Sequence, residues 1–405
     1  MKGENNLKLQ TDAFVELVKI AIGTSTGEFD FSSLTEEDWT AVVKESQAHA
    51  VALLTFSATK SIKNVIPKSV YESWFRTAIM IMSANEVFVN AQNELDRLMN
   101  ENGINYVVLK GIASGYYYPD YSMRTSGDID FLTDIADFPK VKQVLIDAGY
   151  EMSLEDHDLH TVFTKGNIEL ELHKKPAGMP DGVQGEMASE FLKNIATNFV
   201  RVTNPCYSRP TDQNHALVIL FHTIYHMFAG GMGIRHLCDW ACFVNKTHTE
   251  AFWQAELLPI FEKMGLLRFV MTLTQSCIDY LNIDVPVWFV KAKKELSDEI
   301  FQKVLACGNF GRKQGKYLSD RYCSGNGVRY TFLQNLKNMF VSLCKTNSLM
   351  YPILKKAPIL HPFIFVWRII KYIVLSLLGK KTSLNERMKY ADERAAVFDK
   401  FEIYR

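Results

Sequence analysis

Two aspartates, Asp128 and Asp130, flank Ile129 at the start of a β-type run from Ile129 to Thr133. Side chains two apart on a strand point to the same side, with α-carbons roughly 6–7 Å apart. Carboxylates held that close repel each other, and an ordinary core has no use for them. A hard divalent cation removes the conflict, and Mg²⁺ is typically held by carboxylates together with substrate phosphates. A third acid lies downstream. Ile168-Glu169-Leu170-Glu171-Leu172-His173 alternates strictly, so Glu169, Glu171 and His173 share one strand face. Either glutamate can be the third carboxylate. Upstream, Ile104 to Leu109 (INYVVL) is β-branched and apolar and reads as a buried strand. It ends in Lys110-Gly111, where a bend brings backbone amides and a lysine charge close to an anion.

The positioning elements follow from local pattern. Thr35-Glu36-Glu37-Asp38 is close to a capping box and starts a helix, and Val70 to Asn100 reads as a long one, stopped by Asn102-Gly103. Ile112 to Tyr118 is a short helix ended by Pro119. Asp137-Phe138-Pro139 opens the next, which Gly149 closes. His160 to Lys165 and Ile168 to His173 form a hairpin around Gly166-Asn167. Asn204-Pro205 and Arg209-Pro210 mark a linker. The helix Gln213 to Phe228 then carries His215, His222 and His226 on one side, and Ile234 to Trp240 opens another helix after Gly230-Gly231-Met232-Gly233. Cys307 to Val328 is glycine-rich and reads as a mobile loop. The expected architecture is α+β: a small mixed sheet in 101–203, flanked by helical segments 1–100 and 204–405.

This order, strand with Lys-Gly, helix, strand with Asp-x-Asp, helix, acidic hairpin, resembles the polymerase-β-like nucleotidyltransferase superfamily. It is most similar to the bacterial "nucleotidyltransferase family protein" group. The residues that carry the resemblance are Leu109-Lys110-Gly111, Tyr118-Pro119, Arg124, Asp128-Ile129-Asp130, Gly149-Tyr150 and Glu171-Leu172-His173. Looser matches follow at the histidine helix, Arg235 to Asp239, Gly308-Asn309-Phe310-Gly311 and Tyr351-Pro352 through Lys355-Lys356 to Trp367-Arg368.

The resemblance implies transfer of a nucleoside monophosphate from an NTP such as ATP to an acceptor, with release of pyrophosphate and with Mg²⁺ or Mn²⁺ as cofactor. Asp128 and Asp130 would hold the metal on the triphosphate. Glu171, the acid two residues before the histidine, would help hold a second and orient the nucleophile, with Glu169 as the alternative. Lys110 and Gly111 would meet phosphates. Relatives often carry Gly-Gly or Gly-Ser at this turn; here Ile112-Ala113 follows, and Ser114 is the serine placed to substitute. Arg124 either binds phosphate or pairs with the aspartates. His160 and His173 lie near the proposed metals in a catalytic or a structural role. His222, His226, Arg235 and Asp239 are candidates for the acceptor side of the cleft. The three histidines of the helix lack an HExxH glutamate, so cleft-facing or buried roles are preferred to a zinc site. A nucleotide-binding protein without turnover is the competing reading.

Bulk properties narrow the partners. Lys+Arg and Asp+Glu are both 45 in 405 residues, so no global basic field favours long nucleic acid. A small metabolite, a peptide or protein, and an RNA end remain as acceptors. Seven scattered cysteines and an N-terminus without a signal-peptide apolar core suggest a reducing cytoplasm. Cys238 and Cys242 read as buried thiols. Ile359 to Leu378 approaches spanning length but holds His361, Pro362, Arg368 and Lys371. A buried or partner-covered helix is expected, with peripheral membrane contact through 359–381 as the second choice. No Walker loop, dinucleotide fingerprint, Gly-x-Ser-x-Gly elbow or CxxC pair is present.

Overall fold

A mixed sheet of β1 (Tyr106–Val108), β2 (Ile129–Thr133), β3 (Glu151–Leu154), β4 (His160–Lys165) and β5 (Ile168–His173) runs in the order β1-β2-β5-β4-β3. The computed structural model describes residues 2–154, 160–229, 231–247, 249–313, 334, 354, 357–377, 392–393 and 395–405. Of the glycine-rich stretch Cys307 to Val328, only 307–313 fall among them, and Tyr351-Pro352, Lys355-Lys356 and Lys380-Lys381 lie outside. β2 and β5 pair in parallel, and the other neighbours are antiparallel. Parallel neighbours need a crossover. Here helix Phe138–Asp147 and the β3–β4 pair supply it before the chain turns at Gly166-Asn167, with Lys165 opposite Ile168. β3 is an addition to the expected elements: Glu151-Met152-Ser153-Leu154 is a short edge strand with too little alternation to announce itself.

The helices around the sheet include α1 (Lys2–Ile22), α2 (Glu36–Ala48), α3 (Ala52–Ser57), α4 (Lys68–Glu101), α5 (Ile112–Gly115), α6 (Phe138–Asp147), α7 (Gly182–Leu192), α8 (Asp212–Ala229), α9 (Ile234–Lys246), α10 (Glu250–Phe252), α11 (Leu258–Lys263), α12 (Leu267–Leu281), α13 (Lys294–Cys307) and α14 (His361–Leu377). The box at α2 forms as the residue types require: the Thr35 hydroxyl accepts from the Asp38 amide, and the Asp38 carboxylate accepts from the Thr35 amide at 3.0 Å.

The sheet has two different faces, and this places the chemistry. Ile129, Phe131, Leu170 and Leu172 pack with Leu95 and Met99 of α4 and with Val141 and Leu145 of α6. Val107, Leu109 and Leu132 point the other way, into a helical core. That core joins Phe14, Trp39 and Trp74 from the N-terminal helices to Trp240, Trp253 and Phe269 from the C-terminal ones. Each large side chain buried there contributes about 1.5–3 kcal/mol. Asp130 lies between Ile129 and Phe131, so it belongs to the face that meets the C-terminal helices.

One expectation needs correction. The 204–210 stretch is no linker: β6 (Phe199–Thr203) and β7 (Cys206–Pro210) form an antiparallel hairpin, with Thr203 opposite Cys206. Its prolines sit where a ladder tolerates them, Pro205 in the turn and Pro210 at a strand end. Of the two readings of the apolar segment near 360, burial within this chain is not what the described residues show, and the partner-covered one stands. α14 leaves Phe363, Val366, Trp367 and Ile370 exposed. Among the described residues, no helix is long and apolar enough to cross a membrane. Cys238, Cys242 and Cys277 are buried free thiols. Before α9, Gly231 and Gly233 press against the Gly308–Gly311 turn so closely that an added Cβ would sit 2.8 Å from the Gly311 amide or 2.9 Å from Asn309.

Candidate active site

The parallel register of β2 against β5 sets Asp130 beside Glu171 and Leu132 beside His173. Asp128 precedes the strand on the same side. One carboxylate oxygen each from Asp128, Asp130 and Glu171 lies within 4.8 Å of the others. Asp130 is 2% exposed, whereas Asp128 and Glu171 are half-buried and open to a ligand. Glu169 is exposed one step farther along β5 and lies outside this group. The structure therefore brings Glu171, not Glu169, to the aspartate pair.

Two cations answer the acids. Lys110 Nζ lies 2.8 Å from Asp130 Oδ1, and His173 Nε2 lies 2.7 Å from the same oxygen and 3.1 Å from Glu171 Oε2. His160 Nε2 is 3.7 Å from Glu171 Oε1. Burial alone would raise the Asp130 carboxyl, but Lys110 and the His173 hydrogen bond overcome it and hold it well below the usual carboxylate range. Burial likewise opposes charge on His173, and its hydrogen bonds to Asp130 and Glu171 win, lifting it to about 9. Asp128 takes the repulsion: the charge on Asp130 and then burial push it up to about 7. One acid of the pair is thus fully ionised and the other is poised near neutrality, which is the electrostatic condition a bound cation relieves. All three donors are hard oxygens, and the set fits Mg²⁺ or Mn²⁺.

The Lys-Gly bend sits at the edge of this cluster. Gly111 has φ +61°, and an added Cβ would lie 3.2 Å from Ser126 Oγ. Glycine is needed here because an L side chain would be both strained and crowded. The bend opens on a cavity of about 310 Å³ whose lining includes Phe88, Lys110, Gly111, Tyr121, Ser126 and Asp128. Ser114 is buried inside α5 and does not line it. The hydroxyl beside the bend is Ser126, which corrects the expectation for Ser114. The Arg124–Asp130 run contained the signal, a serine two residues before Asp128.

Arg124 has an aspartate partner, and it is Asp239 of α9, not Asp128 or Asp130. Arg124 Nε and Nη2 each donate to an Asp239 oxygen at 2.7 Å, and Tyr118 OH donates to Asp239 Oδ1 at 2.8 Å, all of it buried. Burial works against the Arg124 charge, and Asp239 more than restores it. The bidentate pair ties the loop before Asp128 to α9, and Arg124 also lines the cavity beside the bend. Arg235 Nη1 donates to the Thr125 carbonyl at 3.0 Å and holds the same loop. Neither Arg235 nor Asp239 lines the cavity beside the bend. Tyr117 completes the brace, donating to Asp212 at 2.7 Å and meeting His215 Nδ1 at 3.2 Å.

The histidine helix divides its histidines. His215 Nε2 meets the Leu109 carbonyl at 3.1 Å, and so fixes the strand end that carries Lys110. Burial, then Arg209, pushes its pKa down to about 3, which keeps the ring neutral. His222 and His226 gather instead with His236 of α9, a residue for which spacing along α8 gave no sign.

A family model described as "Uncharacterised nucleotidyltransferase" matches residues 35–282, more than half of the chain, and this span holds the sheet, the acidic trio and the helices that face it. No curated protein and no solved structure matches the chain.

Proposed function

We propose that this chain, which belongs to the uncharacterised nucleotidyltransferase family, performs Mg²⁺-dependent transfer of a nucleoside monophosphate from an NTP to an acceptor oxygen. It is a transferase, and the supporting observation is the β2–β5 register, which sets Asp130 against Glu171 with Asp128 alongside. Asp128, Asp130 and Glu171 hold the divalent ions, which stabilise the attacking and leaving oxygens when bound.

The chain's own residues do the rest. Lys110 and the amides at Gly111 receive the phosphates at the bend, and Ser126 adds a hydroxyl beside them. The cavity toward Phe88 and Tyr121 takes the base and sugar. Glu171 orients the acceptor and draws off its proton, with His160 close enough to pass it on. The acceptor oxygen forms a bond to the α-phosphorus as the bond to the bridging oxygen breaks, and pyrophosphate leaves with that electron pair. His173 and the Arg124–Asp239 pair position the acids. The 101–203 unit carries this chemistry, and the helical segments on either side in sequence form its opposing wall. The free thiols at the described cysteines suit a reducing compartment, and we place the protein in the cytoplasm.

Calorimetric titration of the four NTPs with and without Mg²⁺ tests the reading, comparing the native chain with Asp128→Asn/Asp130→Asn. The expected result is metal-dependent binding lost in the double variant, together with pyrophosphate release when cell extract supplies the acceptor. Binding that ignores both metal and substitution, or that never yields pyrophosphate, would make the chain a nucleotide-binding protein without turnover.

A further inference from the structure

We infer that His222, His226 and His236 form a site for one divalent transition-metal ion of the zinc type, separate from the acidic trio. α8 presents His222 and His226 one turn apart, and their Nε2 atoms are 2.9 Å from each other. His236, in the first turn of α9, brings a ring nitrogen to within 4.8 Å of both. Zinc–imidazole bonds are about 2.0–2.1 Å, so nitrogens sharing one ion lie roughly 3.0–3.4 Å apart. Two of the rings already stand near that spacing, and the third lies close enough to meet the same ion by a ring movement.

A plain hydrogen-bonded cluster accounts for the observations less well. A bond between the two Nε2 atoms pairs His222 with His226 but does nothing for His236. Its Nδ1 lies 3.3 Å from the Gly233 carbonyl, which leaves Nε2 as the lone pair, and that atom is buried without a hydrogen-bond partner among the described residues. Leaving such an atom unsatisfied costs about 1–3 kcal/mol. A ring that donates Nδ1–H to a backbone carbonyl and offers Nε2 is the usual form of a metal-ligating histidine.

The surroundings agree. Burial first, with Lys110 and Arg235 adding to it, holds all three rings well below the usual histidine range. The same positive charges oppose a cation, and Asp130 acts on His226 in the other direction. Nitrogen-only donors select a softer ion than the oxygen set of the acidic trio. Three protein ligands leave a coordination position open, as in sites that bind water or substrate. The inference does not depend on nucleotidyl transfer.

The test is titration of the metal-stripped full chain with Zn²⁺ in excess Mg²⁺, repeated with Co²⁺ to read its visible absorption and its shifted imidazole N–H proton signals. One ion per chain is expected, with three such signals. Affinity should be kept in Asp128→Asn/Asp130→Asn and weakened about 100-fold in His236→Gln. The native Co²⁺ signals decide the matter if His236→Gln does not fold. No binding under excess Mg²⁺, or binding lost with the aspartates and kept in His236→Gln, overturns the site.

Discussion

Replacing Asp128 with asparagine should stabilise the metal-free protein while removing its response to Mg²⁺. Asp128 is raised from its ordinary 3.8 to about 7, chiefly by Asp130 and then by burial. A shift of roughly 3 units at 1.36 kcal/mol each is about 4 kcal/mol of penalty on the ionised form, and screening at a half-buried group reduces it to about 2–4 kcal/mol. The sign follows from proton uptake. The folded carboxyl binds its proton more tightly than the unfolded one, so its contribution to stability is present at low pH and lost as pH rises from about 4 to about 7. Asparagine imitates the protonated acid and escapes that loss. Urea unfolding in EDTA, at intervals from pH 4 to 8, should show a gain for the variant that is small at pH 4, grows to pH 7 and then levels. Adding Mg²⁺ should stabilise only the native chain. A variant destabilised across the whole range, or one that still gains from Mg²⁺, would refute the reasoning that like charges strain this pair.

Asp130→Asn should behave in the opposite way, because Lys110 and His173 lose their shared partner: a loss of about 3–5 kcal/mol in thermal or urea unfolding, with NTP binding abolished. His173 adds its own pH signature. Its raised pKa supplies stability that is complete below about 6.5 and disappears as pH rises toward 9, a decline that His173→Gln should flatten. Arg124→Ala should cost about 3–5 kcal/mol by stranding Asp239, and Arg124→Lys should recover only part because one ammonium cannot span both oxygens. Gly111→Ala, at φ +61° and 3.2 Å from Ser126 Oγ, should cost about 1–2 kcal/mol of stability and weaken NTP binding by calorimetry more than Ser114→Ala does.

Local signals in the sequence proved readable, and long-range ones did not. The Asp-x-Asp spacing, the alternation of 168–173 and the Gly166-Asn167 turn each specify geometry within a few residues, and the sheet uses them as expected. Glu169 and Glu171 share a face, so only the crossover that brings β5 alongside β2 decides between them. Arg124 and Asp239 are 115 residues apart, and nothing local marks them as a pair. The α8 histidines show why a shared face is not a shared site. His215 and His222 point the same way, but seven residues of helix separate them by about 10 Å. One end of that face meets Leu109, just past β1, and the other meets His236. Asn204-Pro205 read as a break because proline usually excludes a strand, yet a turn between two strands accepts it.

The most direct measurement of the central claim is mass spectrometry of a reaction containing the native chain, an NTP, Mg²⁺ and cell extract, run beside Asp128→Asn/Asp130→Asn. The acidic trio predicts an acceptor heavier by one nucleotidyl group, formed with one pyrophosphate per transfer, dependent on Mg²⁺ and absent with the double variant. A nucleotidyl adduct formed equally by the double variant would contradict the assignment of these carboxylates.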